Sequence, residues 1–180
     1  MHMTRREAVI KMAILMGAST LGPRLLAGNF GATADTPAGF TASQLALLDE
    51  IADTISPPTS VPGAKAAEVG AFIAMMVHDC YEPDDQAAVH SGLAQLDADY
   101  AAMHHQPFAA GREADRTTFL SELDRARPRY FRILKELTLL GYFTSEIGCN
   151  QALQYAEVPG RYDGNVPYRP GDRAWAPTIK

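Results

Sequence analysis

The 180-residue sequence holds only two cysteines, Cys80 and Cys149. No C-x-x-C or C-x-x-C-H occurs, which removes the common iron–sulfur, structural zinc and c-type haem arrangements. Also missing are a G-x-G-x-x-G fingerprint, a Walker-type phosphate loop and a G-x-S-x-G elbow. Dinucleotide binding, phosphate cradling and acyl transfer by a serine therefore have no sequence support in this chain. No apolar run approaches the roughly 20 residues needed to span a bilayer. Period-two alternation is equally scarce, so no strand of any length is expected, and there is no internal repeat. Beyond residue 34, positive charge is in short supply. Twelve basic residues face twenty acidic ones, a net charge of 12 − 20 = −8. Nucleic acids and anionic membrane surfaces reward clustered Lys and Arg, so both are poor partners for this part of the chain.

What is present begins at the amino terminus. Thr4-Arg5-Arg6-Glu7 and Lys11 form a basic flank, and a moderately apolar stretch runs from Met12 to Leu26, interrupted by Gly17, Ser19, Thr20, Gly22 and Pro23. Ala32-Thr33-Ala34 then supplies an A-x-A cleavage site. Basic flank, apolar run and small-residue exit are the order of a secretory signal. The adjacent Arg5 and Arg6 point to the twin-arginine (Tat) route. The weak apolar run and Arg24 agree with it, while Ala8 and the late Lys11 depart from the usual pattern. An ordinary secretory signal that happens to contain Arg-Arg is the competing reading. The expected organisation is a signal over 1–34, cut after Ala34, and a single domain over 35–180 in the periplasm. A domain of about 145 residues can bury close to 70% of the surface its unfolded chain exposes.

Helical periodicity governs that domain. Thr41 and Gln44 form a capping box, followed by Leu45, Leu48, Ile51 and Ile55 at helical spacing until Pro57-Pro58. A second helix, roughly Ala67 to Tyr81, is apolar nearly all round and is expected to be buried, with Met75 and Met76 as core packing. Pro83-Asp84-Asp85 opens a third helix striped by Val89, Leu93, Leu96 and Tyr100. The segment from His104 to Gly111 reads as a loop, and a fourth helix carries Phe119, Leu120 and Leu123. Pro128 kinks or restarts it, and a fifth helix covers about Arg129 to Thr144. A short helical turn near Cys149–Tyr155 precedes a tail in which turn formers alternate with aromatics. The expectation is all-α: a small bundle of about five helices with an irregular C-terminal arm.

Chemistry is sparse. His104 and His105 are neighbours, and His78 lies one turn from Glu82, but a catalytic zinc site takes three protein ligands. Asp84-Asp85 reads as helix-start chemistry, and Asp97 with Asp99 as solvated surface. A free-standing metal binder or enzyme using His78, His104 and His105 is the alternative to a chain with no catalytic residue, cofactor or metal of its own. A Cys80–Cys149 disulfide would close a loop of about 70 residues, worth on the order of 4 kcal/mol in the chain-entropy model. Two free thiols, or a bridge to another chain, stand open beside it.

Three stretches carry a family resemblance. Phe40–Gln44 leading into Leu47-Leu48-Asp49-Glu50-Ile51-Ala52-Asp53-Thr54-Ile55-Ser56-Pro57 is similar to the opening of the gluconate 2-dehydrogenase subunit 3 family. So are Leu140-Gly141-Tyr142-Phe143-Thr144-Ser145-Glu146-Ile147-Gly148 and Tyr155-x-x-Val158-Pro159-Gly160-x-Tyr162-x-Gly164. The resemblance implies a non-catalytic small subunit serving export, maturation and stability of a large FAD-dependent partner of the glucose–methanol–choline type. Such partners oxidise sugars, sugar acids or glycosides, and electrons often pass to a multihaem c-type cytochrome subunit. FAD and substrate then belong to the partner, and any membrane association comes through the complex.

Aromatic residues and arginine are enriched at interfaces. Tyr142, Phe143, Tyr155, Arg161, Tyr162, Tyr168, Arg169 and Trp175 are therefore the expected partner interface, with Cys149 at its border. For the leader, replacing Arg5 and Arg6 together by lysine is expected to retain the chain in the cytoplasm. Fractionation of cells expressing both forms reads this, and unchanged export of the double variant would return the leader to the ordinary secretory class.

Overall fold

Thr41 starts the first helix as its sequence requires: its hydroxyl accepts the backbone N–H of Gln44, whose side-chain oxygen accepts the Thr41 N–H. The computed structural model describes residues 39–158, 160, 165, 167 and 169–176. The expected leader, with Arg5, Arg6 and Ala34, lies outside the described residues, as do Arg161, Tyr162 and Tyr168. Helix α1 spans Ala42–Ile55, α2 Val69–Cys80, α3 Pro83–His104, α4 Glu113–Ala126 and α5 Arg129–Thr144. Among the described residues there is no β-strand, only a single bridge between Gln154 and Trp175.

Each boundary has a local cause. Pro57-Pro58 follows the end of α1. Pro83 occupies the first turn of α3, where its missing N–H costs nothing, and Asp84 and Asp85 face the positive helix end there. Arg127 closes α4 in the left-handed conformation at φ 52°, and Pro128 then caps α5. Pro128 thus separates two helices. The stretch after α3 is more ordered than a loop: a 3₁₀ turn over Phe108–Ala110 inserts Phe108 fully into the core. Asp97 holds that turn by accepting the Phe108 N–H at 2.8 Å, so its carboxylate is structural where solvated surface was expected. Past α5 the chain makes a π-helical turn over Gly148–Ala152.

Helix α5 is the hub of the bundle and packs against every other helix. Its inward stripe of Phe131, Leu134, Leu137 and Gly141 meets Leu48, Ile51, Ile73, Val77, Val89 and Leu93 in one core. Contacts at α5 are close because glycine permits them. A Cβ at Gly92 would fall 2.1 Å from the ring of Tyr130, and one at Gly141 would fall 2.6 Å from Phe72. The expectation for α2 needs correction. It buries Val69, Ile73, Ala74 and Val77, but Met75 is 46% exposed and Phe72 and Met76 are half-buried. Its near-uniform hydrophobicity hid which side faces outward.

Gly92→Ala tests the α3–α5 contact. Alanine in a helix interior normally gains about 1 kcal/mol over glycine. Here the clash with Tyr130 reverses the sign, with an expected loss of about 1–3 kcal/mol, read as a lower denaturant midpoint at unchanged m-value.

Candidate functional site

The acidic face of α1 organises much of what surrounds it. Asp49 accepts the backbone N–H of Gly70 at 3.2 Å, placing a carboxylate at the positive end of α2. Asp53 accepts the backbone N–H of Lys65 at 3.1 Å. Between them Glu50 takes the Lys65 ammonium on one oxygen and the Arg116 guanidinium of α4 on the other. Arg116 also lies over the ring of Phe108, 5.7 Å from its centroid. Two glycines make room: a Cβ at Gly70 would sit 2.2 Å from the Asp49 carboxylate, and one at Gly63 2.5 Å from that of Asp53.

These carboxylates titrate in opposite directions. Burial pushes Glu50 upward, but hydrogen bonds and charge from Lys65 and Arg116 outweigh it and hold the group below its ordinary value. Burial dominates at Asp49 and raises it, with the Gly70 N–H only partly opposing. Lys65 is held above its ordinary value by the hydrogen bond and charge of Glu50.

A second fastening lies at the end of α5. Tyr142 is buried and its hydroxyl donates to the Pro62 carbonyl at 2.8 Å, pinning the α1–α2 connection. Ser145 donates its hydroxyl to the Tyr142 carbonyl and accepts the Gly148 N–H. A Cβ at Gly148 would fall 1.8 Å from that same carbonyl, so only glycine fits.

The expected interface residues separate into distinct environments. Tyr142 is the clear correction: 4% exposed and tied to Pro62, it belongs to the core. Phe143, its neighbour on the helix, is 36% exposed, Tyr155 54% and Trp175 59%. Arg169 is exposed, and its backbone N–H donates to Asp172. Cys80 and Cys149 are both free thiols; Cys149 is half-buried and its sulfur contacts the Phe143 carbonyl at 3.3 Å. The arm folds back on itself. Gln154 exchanges backbone hydrogen bonds with Ala174 and Ala176, and Arg173 donates to the carbonyls of Asn150 and Gln151.

Leu139 and Leu140, 40% and 48% exposed, were missed as surface residues. The signal was available: Glu136, Leu139, Leu140 and Phe143 form one stripe at i, i+3, i+4 and i+7, opposite the buried one. Of this stripe only Phe143 is among the expected interface residues, because that expectation rests on aromatics and arginine and passes over the aliphatic Leu139 and Leu140.

The histidines do not assemble. His78 is on α2 and 3.9 Å from Asp79, His104 stacks on Tyr100 at 4.3 Å, and His105 ends α3 in the left-handed conformation. Among the described residues no three His, Cys, Asp or Glu side chains are placed to hold a metal ion. The arrangement is that of a fastened helical bundle with an exposed apolar stripe on α5.

The family model for gluconate 2-dehydrogenase subunit 3 matches residues 42–160, from the first turn of α1 into the arm. The chain belongs to the gluconate 2-dehydrogenase subunit 3 family. No curated protein and no solved structure matches it. The family is that of a small subunit of a dehydrogenase complex, which implies a catalytic partner. The two motifs that carried the resemblance in α1 and at the end of α5 are the two fastenings described above. In this subunit they build the fold.

Glu50→Gln is expected to cost about 2 kcal/mol, because it leaves the largely buried Arg116 short of its counter-charge. The wild-type contribution is fully present above the ordinary carboxylate value near 4.5 and is lost as pH falls through the lowered value of Glu50. Protonation of Asp49, raised by burial, opposes part of that loss. Stability measured against pH should therefore show a shallower acid limb in the variant. An unchanged acid limb would remove Glu50 from this role.

Proposed function

We propose that this chain is the non-catalytic accessory subunit of a periplasmic FAD-dependent dehydrogenase of the glucose–methanol–choline type. The complex oxidises a sugar, sugar acid or glycoside and passes electrons onward, in one arrangement to a multihaem c-type cytochrome subunit. The observation that carries this reading is one pairing: adjacent Arg5 and Arg6 near the amino terminus of a chain whose residues 42–160 match a dehydrogenase small-subunit family. The Tat route carries folded proteins, so a small subunit with this leader can export a larger flavoprotein that has no signal of its own. FAD is assigned to the partner, in keeping with a sequence that carries neither a G-x-G-x-x-G fingerprint nor a Walker-type loop. The family motifs in α1 and at the end of α5 support the same reading, since their acids, hydroxyl and glycine are engaged in holding the fold together.

A tagged form of the chain, isolated from the native periplasm, is expected to bring down a flavin-containing protein in stable complex. Deleting the chain is expected to leave that flavoprotein inactive or held in the cytoplasm. Full dehydrogenase activity in the periplasm of the deletion strain would sink the proposal, as would a tagged chain that captures no flavoprotein.

A further inference from the structure

Helix α5 touches all four other helices, yet its outer surface carries an apolar patch. Leu139, Leu140 and Phe143 lie side by side at helical spacing and are 40%, 48% and 36% exposed. An ordinary surface helix would carry charged or polar residues there. Acids bracket the patch: Glu136 lies one turn before Leu140, Glu146 lies three residues beyond Phe143, and both are exposed. Among the described residues neither acid has an ion-pair partner. Contiguous exposed apolar surface with a polar rim marks an interaction site.

Charge decides what occupies it. A second copy would bring together two chains of net charge 12 − 20 = −8 over residues 35–180, through a patch with Glu136 and Glu146 at its two ends, the neighbouring Lys135 being paired with Asp124. An anionic lipid surface meets the same repulsion. A protein surface with an apolar centre flanked by lysine or arginine satisfies both the stripe and its two unpaired carboxylates. We infer that the outer face of α5, centred on Leu140 and Phe143, docks the catalytic subunit through an apolar patch flanked by basic residues. This rests on the accessory-subunit reading above and fixes its contact surface. It also moves the main contact from the arm to the helix. Charge pairs at the rim make the association rate fall with ionic strength, whereas the apolar centre sets the dissociation rate.

The test uses the full chain produced with its native partners. Leu140→Asp combined with Phe143→Asp is expected to reduce the flavoprotein captured from the periplasm at least tenfold, with the helical circular dichroism of the variant unchanged. Trp175→Ser in the arm is expected to leave capture within about twofold of wild type, an effect typical of contacts at the margin of an interface. A photo-crosslinking residue at position 140 of the otherwise unaltered chain should join it to the flavoprotein. That second measurement stands even if the double variant fails to fold. Undiminished capture by a folded double variant, with no crosslink from position 140, would overturn the inference and leave the accessory-subunit proposal intact. A crosslinked homodimer, or binding of the purified chain to anionic vesicles that the double variant abolishes, would overturn it in favour of another occupant. A wild-type chain that captures no flavoprotein would remove the proposal and the inference together.

Discussion

Glu50 stands where three parts of the chain meet. Its two carboxylate oxygens reach the loop after α1 through Lys65 and helix α4 through Arg116, residues 15 and 66 positions away. Arg116 is in turn packed on Phe108, so the aromatic cluster of Tyr100, Phe108 and Phe119 is linked to the same carboxylate. Asp49 and Asp53, on either side of it, hold backbone N–H groups on the way to α2. A largely buried ion pair gives little net stability over an apolar pair of the same shape. Its value lies in direction. Removing any member strands a charge, so competing packings of α1 against α4 are penalised more heavily than the native one is favoured.

The architecture was largely legible before the structure. The Thr41–Gln44 capping box, Pro83 and Pro128 marked helix starts, because the chemistry that begins a helix is local. The fifth helix could be bounded at Arg129 and Thr144 for the same reason. What sequence could not supply was long-range. Asp97 looked like solvated surface because its partner, the Phe108 N–H, lies eleven residues on, past a turn with no sequence signature. Met75 looked like core because α2 is apolar on every side, and periodicity vanishes when there is no polar face to contrast with.

The interface reading divides along the same line. Residue type alone put Tyr142 and Phe143 together, since both are aromatic and adjacent. On a helix, adjacent residues point about 100° apart, and that rotation sends Tyr142 inward to Pro62 and Phe143 outward. Leu139 and Leu140 stand outside that expectation because it rests on aromatics and arginine, and leucine carries no such enrichment at interfaces. A family motif likewise gives no notice of its purpose. The run from Asp49 to Pro57 and the run from Leu140 to Gly148 have the density of acids, hydroxyls and glycines found in active sites. Here those residues cap a helix, anchor a loop and let a carbonyl approach.

The tie at Gln154 has a different bearing. Its backbone binds Ala174 and Ala176, and its side-chain amide reaches the Arg173 carbonyl, so the chain closes on itself between residue 154 and residues 173–176. The entropy of closing such a loop grows only with the logarithm of its length, about 0.6 kcal/mol for each doubling. The family match ends at residue 160, inside this loop. Changing the number of residues between the two ends therefore costs the clasp at Gln154 little, whatever it does elsewhere.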